Sequence, residues 1–153
     1  MHISTSYDLS GCPSRWTKLD TGCYLFLGEE PRNWMEARDK CQEEGGYLAE
    51  VVSKEENDAI TEAIIFLGWR EKNREPWIGL NNLKAVGQWR WNHSERLLES
   101  GSYSYWLQNQ PSYIHKDRCV FIGGENRWNN RECEGKTQYW RGRQYSYHAI
   151  CQM

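Results

Sequence analysis

The sequence predicts a single disulfide-bonded domain that mixes helix with strand. Three observations predict it. Six cysteines, an even number, are spread through 153 residues with no Cys-x-x-Cys pair among them. Two stretches of helical period follow one another in the first half of the chain. Short apolar segments bounded by Gly, Asn and Pro then fill the second half. The length suits one domain, residues 1–153, with a substantial core.

The elements follow in order. "CPSRWTKLDTGCYLFLG" reads as an N-terminal hairpin with its turn at Asp20 to Gly22, which brings Cys12 near Cys23. In "PRNWMEARDKCQEEGG", Trp34, Ala37 and Cys41 fall at helical spacing, and Gly45-Gly46 gives a stop. At "SKEEN" a second helix begins, with Ser53 as cap and Glu56 reaching back in a capping box. Ala59, Ile60, Ala63, Ile64 and Leu67 form its apolar face, and Gly68 ends it. "PWIGL" reads as a short buried strand closed by a turn at Asn81-Asn82. "GQWRWN" alternates, with Trp89 and Trp91 on one face and Arg90 on the other. From Ser94 to Lys116 there is little periodicity, which predicts a long functional loop region; Tyr103, Tyr105, Trp106 and Tyr113 argue for its order. "CVFIGG" and "YHAICQM" read as closing strands. Trp77, Trp89, Trp91 and Trp128 are expected in the core.

The totals exclude several classes. A formal charge of −2 gives no electrostatic reason to bind nucleic acid or an anionic membrane. No apolar run approaches the roughly 20 residues that span a bilayer, so no membrane association is expected. The start, "MHISTSYDLSGC", lacks the apolar stretch of a signal peptide, so the case for secretion rests on the cysteines. Without Cys-x-x-Cys, three disulfides formed in an oxidising, extracellular setting are the better reading than a zinc or redox site. Spacing alone leaves their pairing open. Asn92-His93-Ser94 is an N-glycosylation sequon consistent with that compartment. No G-x-S-x-G, H-E-x-x-H or unpaired cysteine nucleophile is present, so the chain does not read as an enzyme.

The stretch "NQPSYIHKDRCVFIGGENRWNNREC" collects amides at Gln110, Asn129 and Asn130, a hydroxyl at Ser112 and a carboxylate at Asp117. Hairpin cysteines, two helices, "WIGL", "WRW", this proline-bearing loop, "CVFI", "WNN" before a cysteine and a terminal "AIC" together resemble a C-type lectin-like domain from Cys12 to Cys151. The resemblance implies an α+β fold, with two helices flanking antiparallel sheets and a long loop region that binds ligand. It implies the bridges Cys12–Cys23, Cys41–Cys151 and Cys119–Cys133, which leave no cysteine to join subunits. It also implies a cis Gln110–Pro111 bond.

Sugar-binding members of that family hold calcium with carboxylates and amides around the cis-proline, an acid before the next cysteine, and a Trp-Asn-Asp triplet. Gln110, Ser112, Asp117, Asn129 and Asn130 occupy those positions here. Two acids are missing, because Ser112 stands where Asn or Asp belongs and Asn130 where Asp belongs. Lys116 and Arg118 flank the remaining acid, and alternation turns them off its face. Calcium takes six to eight oxygens with affinity tuned by their charge, so a weak calcium site or none is expected, and no cofactor. The expected ligand is a glycan, held directly by these side chains. Tyr113, or an aromatic from 103 to 106, is the candidate cover for a sugar face, and His115 is a further candidate contact. Gln before the proline points, within the family, to galactose or N-acetylgalactosamine. The competing readings are a hydrogen-bonded loop that binds nothing, and a protein-binding domain without sugar recognition.

The interval from Cys133 to Cys151 is longer than the family usually has. Its extra stretch, "EGKTQYWRGRQYSY", is either a solvated hairpin or an aromatic and arginine-rich surface beside the site. A non-covalent homodimer built on it is the expected assembly, because two shallow sugar sites gain avidity over one.

Overall fold

A computed structural model describes residues 11–153; the reading of the N-terminal segment as lacking a leader falls mostly outside them. The hairpin is present as β1 (Thr17–Leu19) and β2 (Gly22–Leu27). Next comes α1 (Trp34–Glu43), where Asn33 accepts from the Glu36 amide and the Glu36 carboxylate accepts from the Asn33 amide, a reciprocal capping box. At its far end Gly46 N–H donates to Cys41 O and Gly45 N–H to Gln42 O, with Gly45 at φ +96°. That is the Schellman ending, which needs a residue comfortable in the left-handed region.

After the short β3 (Tyr47–Leu48) comes α2 (Lys54–Phe66). Ser53 caps it as expected, but the Glu56 carboxylate accepts from Val52 N–H at 2.9 Å instead of completing a box on Ser53. The expected apolar face is also narrower. Ile60 and Ile64 are buried, each worth roughly 1.5–3 kcal/mol by area, whereas Ala59 and Ala63 are half-buried. Leu67 is the C-cap and lies 39% exposed. Asn57 completes the buried face because it accepts from the indole of the buried Trp128 at 3.2 Å.

The remaining strands are β4 (Arg74–Asn81), β5 (Arg90–Trp91), β6 (Cys119–Ile122), β7 (Trp128–Arg131), β8 (Thr137–Trp140) and β9 (Arg143–Gln152). They form one sheet in the order β1-β2-β9-β4-β6-β7, with β3 and β8 also on β9 and β5 on β4. Every pairing is antiparallel except β4 with β9, which run parallel from Arg74↔Ser146 to Trp77↔Ala149. The sheet is therefore mostly antiparallel, as the resemblance implied, with this one parallel pairing. β4 also starts earlier than "PWIGL", because Arg74 and Glu75 pair with β9.

Alternation sorts the core onto the two faces of this sheet. Trp77, Tyr147, Ala149 and Cys151 pack with Trp34, Ala37 and Cys41 of α1 on one side. Ile78, Leu80, Ile122, Trp128 and Ile150 pack with Ile60 and Ile64 of α2 on the other. A strand buried on both faces reads as one apolar run, which is how β4 reads from Pro76 onward. The buried indoles of Trp34 and Trp77 donate to Ile78 O and Arg32 O, each at 2.9 Å, as a desolvated N–H requires. The bridges are Cys12–Cys23, Cys41–Cys151 and Cys119–Cys133, as the resemblance implied. Residues 92–118 carry no helix or longer strand. They are tied down by Trp106, which packs tilted against Trp89 and edge-on against Trp128, and by Leu107 N–H and Tyr105 O, which bond to the backbone of Trp128.

Candidate functional site

The loop cluster assembles where β7 meets residues 107–118. Gln110–Pro111 is cis. Asn130 is 6% exposed, and its amide is fully engaged with the loop: Oδ1 accepts from Ser112 N–H at 2.7 Å, while Nδ2 donates to Ser112 O and Asp117 O at 3.1 and 2.8 Å. Gln110 Oε1 accepts from Asn130 N–H, and Ser112 Oγ donates to Asp117 Oδ2 at 3.0 Å. Asn129 Nδ2 donates to Arg127 O. Asn130 therefore has no donor left to offer a ligand. Asp117 Oδ1, Asn129 Oδ1 and the Gln110 amide nitrogen have no hydrogen-bond partner among the described residues.

These groups help line a cleft of about 650 Å³ that also takes in Arg70, Glu75, Phe121, Arg131, Gln138, Trp140 and Tyr145. Gln110, Ser112, Asp117, Asn129 and Asn130 all line it, whereas Tyr113 and His115 do not. Tyr113 is 96% exposed to solvent. Tyr105 lies under the Arg127 guanidinium at 4.2 Å, and Tyr103 and Trp106 pack onto Trp128, so these aromatics serve the core. Arg118 turns away from the cluster, donating to Asn82 O and Leu83 O, each at 2.9 Å. His93 stacks on Tyr47 with centroids 3.8 Å apart, and His148 is buried against Trp69.

The aromatic surface of the cleft comes from the extra stretch, which folds as the β8–β9 hairpin around a turn at Arg141 and Gly142. The register pairs Gln138 with Tyr145 and Trp140 with Arg143. All four face the cleft, and Tyr139 faces out at 73% exposure, as strand alternation demands. Sequence reasoning placed this stretch beside the site but missed Arg70, Glu75 and Arg131. A legible signal for Glu75 was a carboxylate directly before the apolar run of β4. Burial pushes its carboxyl up to about 7, against the pull of Arg70 at 4.0 Å and of Arg131.

The donor set fits calcium poorly. Asp117 is the single carboxylate in the cluster, and Ser112 Oγ already donates to it. Among the described residues no three His, Cys, Asp or Glu side chains gather in a metal-holding group. Neutral amides and one carboxylate are better suited to exchanging hydrogen bonds with hydroxyl groups. No helix among the described residues is long and apolar enough to cross a membrane.

Comparison with known proteins converges on one family. The family described as Lectin C-type domain matches residues 30–140. The low affinity immunoglobulin epsilon Fc receptor of Homo sapiens is 30% identical over 141 residues, covering 92% of this chain and 40% of the receptor. The chain thus spans well under half of that relative. A perlucin-like protein of Mytilus galloprovincialis is 34% identical over 128 residues, covering 80% of this chain and 76% of the mussel protein. Among solved structures, the carbohydrate-recognition domain of cow CD23, crystallised in the presence of a GlcNAc2Man3 oligosaccharide, aligns with a TM-score of 0.69 at 29% identity. That alignment covers 93% of this chain and 95% of the cow domain.

Proposed function

The chain belongs to the C-type lectin domain family, and from that premise we propose that it binds glycans through the loop cluster without needing calcium. Membership makes it a non-enzymatic recognition domain. The observation that carries the proposal is the set of unspent groups on residues that line the cleft: Asp117 Oδ1, Asn129 Oδ1 and the Gln110 amide nitrogen. An acceptor carboxylate beside amides matches the alternating donors and acceptors of a sugar's hydroxyl and acetamido groups. Galactose or N-acetylgalactosamine is the proposed sugar, on the strength of Gln110 before the proline. Asn130 supports the site from behind, by holding Ser112 and Asp117 in place.

The same reading places the protein outside the cell, where three disulfides persist. It also makes it a non-covalent dimer, joined through the outward face of the β8–β9 hairpin at Tyr139. A monomeric mass in sedimentation at micromolar concentration excludes the dimer.

A glycan array read with and without a chelator tests the central claim. Asp117→Ala should weaken binding roughly ten- to a hundredfold by leaving ligand donors unpaired, and chelation should change little. Binding abolished by the chelator would make the cluster a calcium site despite its missing acids. Indifference to both treatments would move the function to a protein partner.

A further inference from the structure

The cleft also has a chemistry that a neutral sugar does not use. Three arginines line it, Arg70, Arg131 and Arg143, and they are not equivalent. Arg70 is committed: Nε donates to Asn126 Oδ1 at 2.8 Å, Nη2 reaches Ile122 O, and Nη1 lies 4.0 Å from Glu75. The half-buried Arg131 makes no hydrogen bond or ion pair with its side chain among the described residues; the ring of Tyr147 lies 5.9 Å from its guanidinium carbon, and its charge acts on Glu75. Arg143, on the β8–β9 hairpin, likewise has no side-chain hydrogen bond or ion pair among the described residues.

Carboxylates in the cleft do little to satisfy them. Asp117 accepts from Ser112 Oγ, and Glu125 stands exposed on the turn Gly124–Asn126. Glu75 is 8% exposed with no hydrogen bond from the described residues, and its raised carboxyl makes it a weakened counter-charge near neutral pH. Two guanidinium forks with unspent donors therefore line one cleft together with the rings of Phe121, Trp140 and Tyr145. A guanidinium fork matches the paired oxygens of a planar or tetrahedral oxyanion, and the aromatic rings suit the apolar face of a sugar ring.

We propose that the cleft takes a saccharide carrying an acidic group, a carboxylate or a sulfate ester, with its acid held by Arg131 and Arg143. The loop cluster holds the adjoining neutral ring, so the inference rests on the lectin reading above. The extra hairpin is then a specificity element: it brings one arginine and the rings of Trp140 and Tyr145 to a site whose other half lies in the loops.

The test is an array of matched pairs, each a neutral glycan beside the same glycan bearing a sulfate or a uronate, probed with the whole chain. Acidic members should bind about tenfold tighter or better, the usual gain from a charge-assisted pair. Arg131→Gln and Arg143→Gln should each bring the acidic-to-neutral ratio toward one. Arg143 lies on an exposed hairpin, so its variant reports even if Arg131→Gln fails to fold. A preference confined to sulfates, or to uronates, identifies which acid is read. Equal binding of both members of every pair overturns this proposal and leaves the lectin reading standing. Binding to neither member overturns both.

Discussion

Glu75 lies almost wholly out of water, and burial raises its carboxyl from an ordinary value near 4.5 to about 7. Arg70 and Arg131 are the charged groups facing it, and both pull the other way. Tyr147, across the parallel pairing, stays neutral because burial raises its own pKa. With a folded value above the unfolded one, the native state holds more protons between about pH 4.5 and 7. Glu75 therefore favours the fold fully below that window and ceases to do so as pH rises through 7. Glu75→Gln keeps the shape and removes the titration. The melting temperature of the variant minus that of the wild type should grow by about 5 °C between pH 5 and pH 8, for a contribution of roughly 2–3 kcal/mol. A flat difference would show that Glu75 does not titrate there. At this scale the sequence was partly legible. Gln110, Ser112, Asp117, Asn129 and Asn130 could be gathered from motif spacing because all lie within one stretch of chain. Arg70 and Glu75 come from another part of the chain, and only the β4–β6 and β6–β7 pairings bring them alongside. That Asn130 serves the loop was also invisible, since an amide's partners depend on a backbone path that spacing does not encode.

The adjacent glycines after α1 do different work, although both read as a helix stop. Gly45 takes the left-handed conformation at φ +96°, with only the tip of Met153 near a built Cβ. For Gly46, a Cβ would fall 2.3 Å from Gln152 O and 2.6 Å from the Trp16 ring, because β9 and the N-terminal segment close over it. Gly45→Ala should cost about 1–2 kcal/mol for the backbone conformation. Gly46→Ala should cost about 3 kcal/mol or more, because backbone has to move. Urea midpoints would separate them, and equal losses would refute the distinction. Both helices were legible because each carries its own cap, periodicity and glycine stop. The β8–β9 hairpin was visible as an extra stretch but remained open between a solvated hairpin and a binding surface. Its alternation of Gln138 and Trp140 against Tyr139 acquires a meaning only when the register against Arg143 and Tyr145 is known. The parallel β4–β9 pairing was similarly hidden, as nothing in either segment announces the direction of a partner more than sixty residues away.

On the scale of the molecule, the bridges close loops of very different length. Cys41–Cys151 spans 110 residues and Cys12–Cys23 spans 11. In the chain-entropy model their removal costs about 5 and about 3 kcal/mol respectively. Replacing each pair by serine and comparing unfolding free energies should reproduce that order. The strand that carries Cys151 pairs with β2, β3, β4 and β8, and so occupies the middle of the sheet. This has a consequence during synthesis. Residues 22–81, which include both helices, leave the ribosome well before the strand that must be inserted among them. Until residues 143–152 follow, the edges of β2 and β4 are unpaired and Cys41 is a thiol without its mate. The nascent chain thus waits with its central seam open, exposed to wrong disulfides and to strangers' strands, and the arrival of residues 143–152 works as a zip fastener drawn up through the middle.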